Sequence, residues 1–196
     1  MRKSRLARKY NARPAIAFEH PYWVFSVAKR VDIHDSNEKT LVKDLSDLMT
    51  EARDLYGWVG ISSNNLMWNA TKMPIRVIQV LAPEGGDYLT LTNPELKEIC
   101  GEKFESHEGC GSFPGRMYWV QRYPYVRLVG IQLYHAKFEQ IELIYGAKDV
   151  KLEWPECCVN EKLQPVRVVQ HECDHLEAIV IPKLAYSMNR NQNKYK

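Results

Sequence analysis

Two stretches of the chain carry a helical spacing of apolar residues, and between them lies a run of strand-like segments. In the first, Leu41, Leu45, Leu48, Met49, Ala52 and Leu55 recur at three- and four-residue steps. That spacing predicts an amphipathic helix from about Glu38 to Tyr56. Gly57 stands where a left-handed cap would end it. In the second, Val166, Val169, Cys173 and Leu176 share one stripe. They predict a helix that starts at Pro165, where proline is tolerated in the first turn, and ends near Leu176, with Pro182 beyond. Between the helices, Ile75–Val80, Leu96–Cys100, Met117–Tyr123, Val126–Tyr134 and Phe138–Tyr145 are rich in β-branched and aromatic residues and read as strands. Pro83 with Gly85-Gly86, a turn at Asn93-Pro94-Glu95, Pro124 and Gly146 punctuate them. Trp58–Asn65 is small and polar after Ile61 and reads as a strand or an extended loop. The class is α+β: small antiparallel or mixed sheets packed around a central helix.

Composition fits that picture. With 196 residues, 45% of them hydrophobic and 26% charged, the chain suits one globular domain with a proper core. No apolar run reaches the length of a membrane span, and a net charge of +3 gives no ground for a DNA partner. The charge is unevenly placed. Arg2, Lys3, Arg5, Arg8, Lys9 and Arg13 fall within residues 1–17 without an acid, as a transit-peptide remnant or a solvated basic arm would have it. Residues 184–196 form a second basic, Asn-rich stretch expected to fray, leaving residues 18–183 as the single domain. Five cysteines without a framework point to a reducing compartment. Cys157 and Cys158 are adjacent and poor partners for an ordinary disulfide.

Candidate chemistry lies on the second helix, in Gln170-His171-Glu172-Cys173-Asp174-His175. In this H-E-x-x-H run two histidines four apart leave one helix face together, and the intervening glutamate can move protons. A bare H-E-x-x-H can be ordinary surface polarity. A lone cysteine is more often a small buried hydrophobe, and Glu108-Gly109-Cys110-Gly111-Ser112 can be a Gly-rich turn. Taken together they favour one metal ion held by Cys110, His171 and His175, which makes the central helix a metal-binding one. One thiolate and two imidazoles leave a fourth position for water and suit Fe(II), Zn(II), Co(II) or Ni(II). Glu172 is then the acid/base, and Asp174 and Gln170 are candidate acceptors for the histidines' second N–H.

These residues resemble one family, the peptide deformylases, whose marker segments read approximately G-x-G-L-A-A-x-Q, E-G-C-x-S and Q-H-E-x-D-H-L. The second stands intact at Glu108–Ser112 and the third at Gln170–Leu176. Asn93-Pro94-Glu95, Ser112-Phe113-Pro114-Gly115 and Val120-Gln121-Arg122 resemble further family segments, and the likeness runs from His20-Pro21 to about Pro182. The resemblance implies removal of the N-formyl group from the initiator methionine of nascent polypeptides. It implies Fe(II) as the commonest ion, bound by Cys110, His171 and His175, with Glu172 as acid/base. Asn65 and the Gly111 N–H would stabilise the oxyanion. Substrate would contact Trp58, Val59, Gly60, Ile61, Glu108 and Gly109, its backbone added as a strand near Val59–Ile61. The partners implied are nascent-chain N-termini, with the ribosome as a further candidate. The compartment implied is a mitochondrial or plastid matrix in a eukaryote and otherwise the cytoplasm.

The first marker departs from the pattern. Trp58 replaces its first Gly, Ser62 and Ser63 its Ala pair, and Asn65 its Gln. Ala178 and Lys183 replace a usual Gly and Asp, and Trp154–Cys158 has no counterpart. Two alternatives therefore stand beside a deformylase with a remodelled pocket: a hydrolase of another N-acyl peptide, and a non-catalytic peptide-binding relative.

Overall fold

The computed structural model describes residues 4–147 and 164–185. Residues 1–3, the Trp154–Cys158 segment with Cys157 and Cys158, and the tail from residue 186 lie outside the described residues. The chain opens with α1 (Arg5–Lys9), β1 (Arg13–Pro14) and α2 (Pro21–Val24), followed by the long α3 (Ser36–Tyr56). Next come β2 (Ile61–Ser62), a 3-10 turn at Ser63–Asn65, β3 (Leu66–Met67), β4 (Val77–Leu81) and β5 (Tyr88–Cys100). Then follow β6 (Phe104–Gly109), β7 (Met117–Arg122), β8 (Tyr125–Tyr134), β9 (Lys137–Gly146) and α4 (Gln164–Leu176). Five strands form an antiparallel sheet in the order β2-β4-β5-β8-β9, and β1-β3 and β6-β7 form two small antiparallel pairs.

Each helix follows from its sequence. Asp35 caps α3 by accepting from the N–H groups of Asn37 and Glu38 at 2.7 and 3.4 Å. Gly57, at φ +67°, closes it in the left-handed region that favours glycine. Its buried face is Val42, Leu45, Leu48, Met49 and Ala52. Leu55 lies exposed in the last turn, so the buried stripe is rotated toward Val42 relative to the predicted one. On α4, Val166, Val169, Cys173 and Leu176 pack against Ile78, Val80, Leu91, Val126, Leu128 and Tyr145 of the large sheet. Burial of this apolar stripe fixes the helix's rotation, and with it the direction in which its polar residues point.

Three expectations change. The Asn93–Glu95 turn is a bulge inside one continuous strand, with the β5–β8 register shifting between Thr92 and Glu95. Asn93 adopts φ +51°, and its side chain accepts from Val31 N (2.9 Å) and donates to Val31 O (2.8 Å). β6 had no apolar alternation to announce it, because its buried positions after Phe104 are Ser106 and Glu108. Finally, from residue 4 the basic N-terminal segment is folded onto the domain. Ala7, Ala12, Ala15 and Ala17 are buried in the core around α3, and Lys9 and Tyr10 both bond Asp44. Ala15 N donates to Asn65 O (2.8 Å) and Ala17 N to Ser112 O (2.9 Å). The segment thus braces two loops that carry polar residues of the central cleft.

Asn93→Ala leaves the backbone of Val31 without its partner and puts a Cβ-only side chain at a left-handed φ. Stability is expected to fall by about 2–4 kcal/mol, read as a lowered denaturant midpoint with an unchanged slope.

Candidate active site

Two elements deliver the candidate residues. α4 presents His171 and His175 one turn apart, their ring centroids 5.0 Å from each other, on the flank of its buried stripe. The ribbon β6-β7 runs Glu108 and Gly109 up to Cys110 opposite them. The donor atoms of Cys110, His171 and His175 all lie within 4.8 Å of one another, with Cys110 Sγ 3.2 Å from His175 Nε2. The three residues are buried or nearly so and could hold one metal ion. Burial opposes ionisation of Cys110, yet the charge of His175 and hydrogen bonds from both histidines hold its thiol well below the usual value. A thiolate beside two imidazoles is a donor set suited to a divalent cation, which would bind as the histidines give up their protons.

His171 is aimed by a chain of buried charges. Its Nδ1 lies 3.0 Å from Glu108 Oε2, which leaves Nε2 toward Cys110. Arg122 grips Glu108 with two bonds, Nε to Oε1 at 2.9 Å and Nη2 to Oε2 at 2.8 Å. Its Nη1 reaches Asp174 Oδ2 at 2.5 Å, and Ser106 Oγ donates to Glu108 Oε1 at 2.7 Å. Although burial opposes it, Arg122 and His171 keep the Glu108 carboxyl ionised well below the usual carboxylate range. Asp174 therefore acts on His171 through Arg122 and Glu108, while His175 Nδ1 is buried with no partner among the described residues. Gln170 does not face them: it donates to Tyr123 O and Val166 O (both 2.9 Å) and accepts from Tyr123 N (3.1 Å), tying α4 to the β7–β8 turn. Glu108, expected to meet substrate, does line the cleft, but its oxygens are committed to Arg122, Ser106 and His171.

Glu172 is buried beside the cluster, and one carboxylate oxygen has no partner among the described residues. Burial pushes its carboxyl up to about 6, against the opposing pull of His171 and His175, so it is suited to exchange protons near neutrality. Room for it comes from Gly60. A Cβ there would overlap Val168 and stand 2.9 Å from Glu172 Oε1. Cys173, on the opposite face, is different: burial drives its thiol well above the ordinary value, so it packs as a neutral apolar group.

The altered first marker is locally self-consistent. Asn65 Oδ1 accepts from both Ser62 N and Ser62 Oγ at 2.8 Å. Its Nδ2 is thereby turned to Ser112 Oγ (3.1 Å), His175 Nε2 (3.2 Å) and Cys110 Sγ (4.0 Å). The hydroxyl that Ser62 adds is what clamps the shorter amide. Trp58 lies against Gly111, where any side chain would overlap its indole, and stacks on Tyr56 with centroids 5.0 Å apart. Trp58, Val59, Gly60, Gly109 and Gly111 all border a cleft of about 850 Å³ that also exposes Cys110, His171 and Glu172. Ile61 does not: its side chain is fully buried in the core. β2 nevertheless is an edge strand, paired only with β4 among the described strands. Sequence reasoning assigned no role to Arg122 or Ser106. The V-x-R segment was the one available signal for Arg122, and nothing marked Ser106.

The sequence profile of the polypeptide deformylase family matches residues 15–191. The chain is 31% identical over 153 residues to the peptide deformylase of Aquifex aeolicus, covering 77% of this chain and 75% of that one. It is 29% identical over 156 residues to peptide deformylase 1B, chloroplastic/mitochondrial, of Arabidopsis thaliana, covering 78% of this chain and 46% of that one. In fold it is similar to the K1U-bound class I type b peptide deformylase of Acinetobacter baumannii, with TM-score 0.65, 24% identity, and coverage of 87% and 96%. The peptide deformylase of Thermotoga maritima gives TM-score 0.63 at 23% identity, covering 89% and 96%. The α+β fold is that of these solved deformylases, and the family match makes the chain a metallohydrolase with a candidate metal site at Cys110, His171 and His175. The chain belongs to the polypeptide deformylase family.

Removing the Arg122 guanidinium strands Glu108 as an unpaired buried charge and frees His171 to rotate. Arg122→Ala is expected to cost about 3–5 kcal/mol of stability. Wherever the variant still folds, it should weaken metal binding about 10- to 100-fold, as read by competition with a chromophoric chelator.

Proposed function

We propose that this protein is a peptide deformylase, hydrolysing the N-formyl amide at the start of newly made polypeptides to give formate and a free amino terminus. The observation that carries this reading is Glu172: a buried carboxyl held near neutrality beside the Cys110–His171–His175 cluster, with one oxygen unengaged among the described residues. A non-catalytic peptide binder has no use for such a group. In this reading Cys110, His171 and His175 hold one divalent ion, Fe(II) in the native protein, with Zn(II), Co(II) or Ni(II) able to replace it. The ion supplies Lewis acidity and lowers the pKa of water.

The remaining work falls to the chain. Glu172 accepts the proton of the attacking water and returns it to the departing amine nitrogen. Asn65 Nδ2, fixed by Ser62, and the Gly111 N–H donate to the oxygen that gains charge at the formyl carbon. The peptide backbone lies along the open edge of β2 beside Val59 and Gly60, with Trp58 as a wall. Because Trp58 is packed over Gly111, a different small N-acyl group is the second reading. Partners are nascent-chain N-termini and, through them, the ribosome. The compartment follows the translation system served: a mitochondrial or plastid matrix in a eukaryote, the cytoplasm in a bacterium. The organellar and bacterial relatives are compatible with either.

Protein loaded with Fe(II) or Co(II) is expected to release formate from formyl-Met-Ala-Ser. Glu172→Gln should retain the metal while turnover drops at least about 100-fold. Absence of formate release from folded, metal-replete protein would overturn the proposal, and faster release of acetate from the acetylated peptide would favour the second reading.

A further inference from the structure

The cleft holds a charge that the reaction does not use. Arg167 lies four residues before His171 on α4, so it stands on the same helix face one turn away, and it lines the same cleft. Its Nε is buried and has no hydrogen-bond partner among the described residues. Tyr56, Trp58, Met117 and Val168 line the same cleft, as does Gln164 three residues before Arg167 on α4. Of the acids that line the cleft, Glu108 is held by Arg122 and His171, and Glu172 makes no hydrogen bond to the Arg167 Nε. Arg116, exposed on the rim, also lines the cleft. A guanidinium N–H buried in a binding cleft costs free energy until an acceptor reaches it.

We infer that Arg167 is a specificity-determining residue, selecting peptides that carry a carboxylate side chain within the first two residues after the acylated amine. This rests on the proposed peptide-binding role of the cleft and deepens it. The reacting amide must sit at the Cys110–His171–His175 cluster, and one helical turn of about 5.4 Å along α4 separates Arg167 from His171. Such a span suits a side chain near the peptide's start. A carboxylate can accept two parallel N–H bonds from a guanidinium, which a neutral amide of the same shape cannot match. A carboxylate could also be supplied by the C-terminus of a short peptide, and the test separates the two sources.

Calorimetry would measure binding of tripeptide amides with free amino termini to the zinc-loaded protein, comparing Glu-Ala-Ser with Gln-Ala-Ser and Met-Glu-Ser with Met-Gln-Ser. At least one Glu peptide is expected to bind about tenfold more tightly than its Gln counterpart. The preference should vanish in Arg167→Leu and persist in part in Arg167→Lys, both checked for native metal content. Equal affinities within each pair overturn the inference, as does a preference that survives Arg167→Leu. A gain seen only when the amide is replaced by a free C-terminal carboxylate also overturns it. Binding needs no turnover, so the outcomes separate. Formate release without acid preference fails only this inference, and acid preference without formate release fails only the deformylase reading.

Discussion

The buried pairing of Glu108 with Arg122 is the constraint on which the rest of the site depends. Two charges taken out of water are costly, and they are tolerated only where geometry and further hydrogen bonds offset the desolvation. Here both guanidinium-to-carboxylate bonds form, Ser106 takes up a remaining acceptor site, and Asp174 binds the third guanidinium nitrogen. The pair spans β6 and β7, the ribbon that ends in Cys110, while Asp174 and His171 belong to α4. One network thus sets both the position of the ribbon relative to the helix and the orientation of a histidine ring. The apolar stripe of α4 fixes the helix on the sheet. The charge chain fixes what faces it.

Around that frame the first marker is rebuilt rather than simply lost. Shortening a glutamine to asparagine withdraws the amide, and Ser62 holds the shorter group against the cluster from behind. Trp58 adds bulk where a glycine is usual, and Gly111 gives up its side chain to receive the indole. Gly60 is retained where backbone and Glu172 meet. The changes at Asn65 and Trp58 are each matched by a neighbour, Ser62 and Gly111.

Much of this was legible in the sequence. The periodicity of the two helices, the strands from Met117 onward and the His171–His175 pair follow from spacing, because apolar burial and ligand geometry leave regular traces. Cys110 was legible only from its own segment read together with that pair. β6 left no such trace, since its inward residues are polar members of the charge network rather than an apolar alternation. Asn93-Pro94-Glu95 carries turn chemistry, yet the bulge uses the left-handed Asn93 to bind Val31 and lets the strand continue. The folded state of residues 4–17 was hidden for another reason: small alanines do the packing, and basic side chains dominate the composition. Ile61 illustrates the limit of motif transfer, its backbone standing at the sheet edge while its side chain belongs to the core.

The central claim is that Cys110, His171 and His175 gather one ion in a preset geometry. X-ray absorption on protein loaded with one equivalent of Zn(II) tests it most directly. The account predicts a single sulfur at about 2.3 Å together with nitrogen or oxygen neighbours at about 2.0–2.1 Å, in a four-coordinate shell. The sulfur contribution should disappear in Cys110→Ser. A shell without sulfur, or a sulfur signal that survives the loss of Cys110, would contradict it.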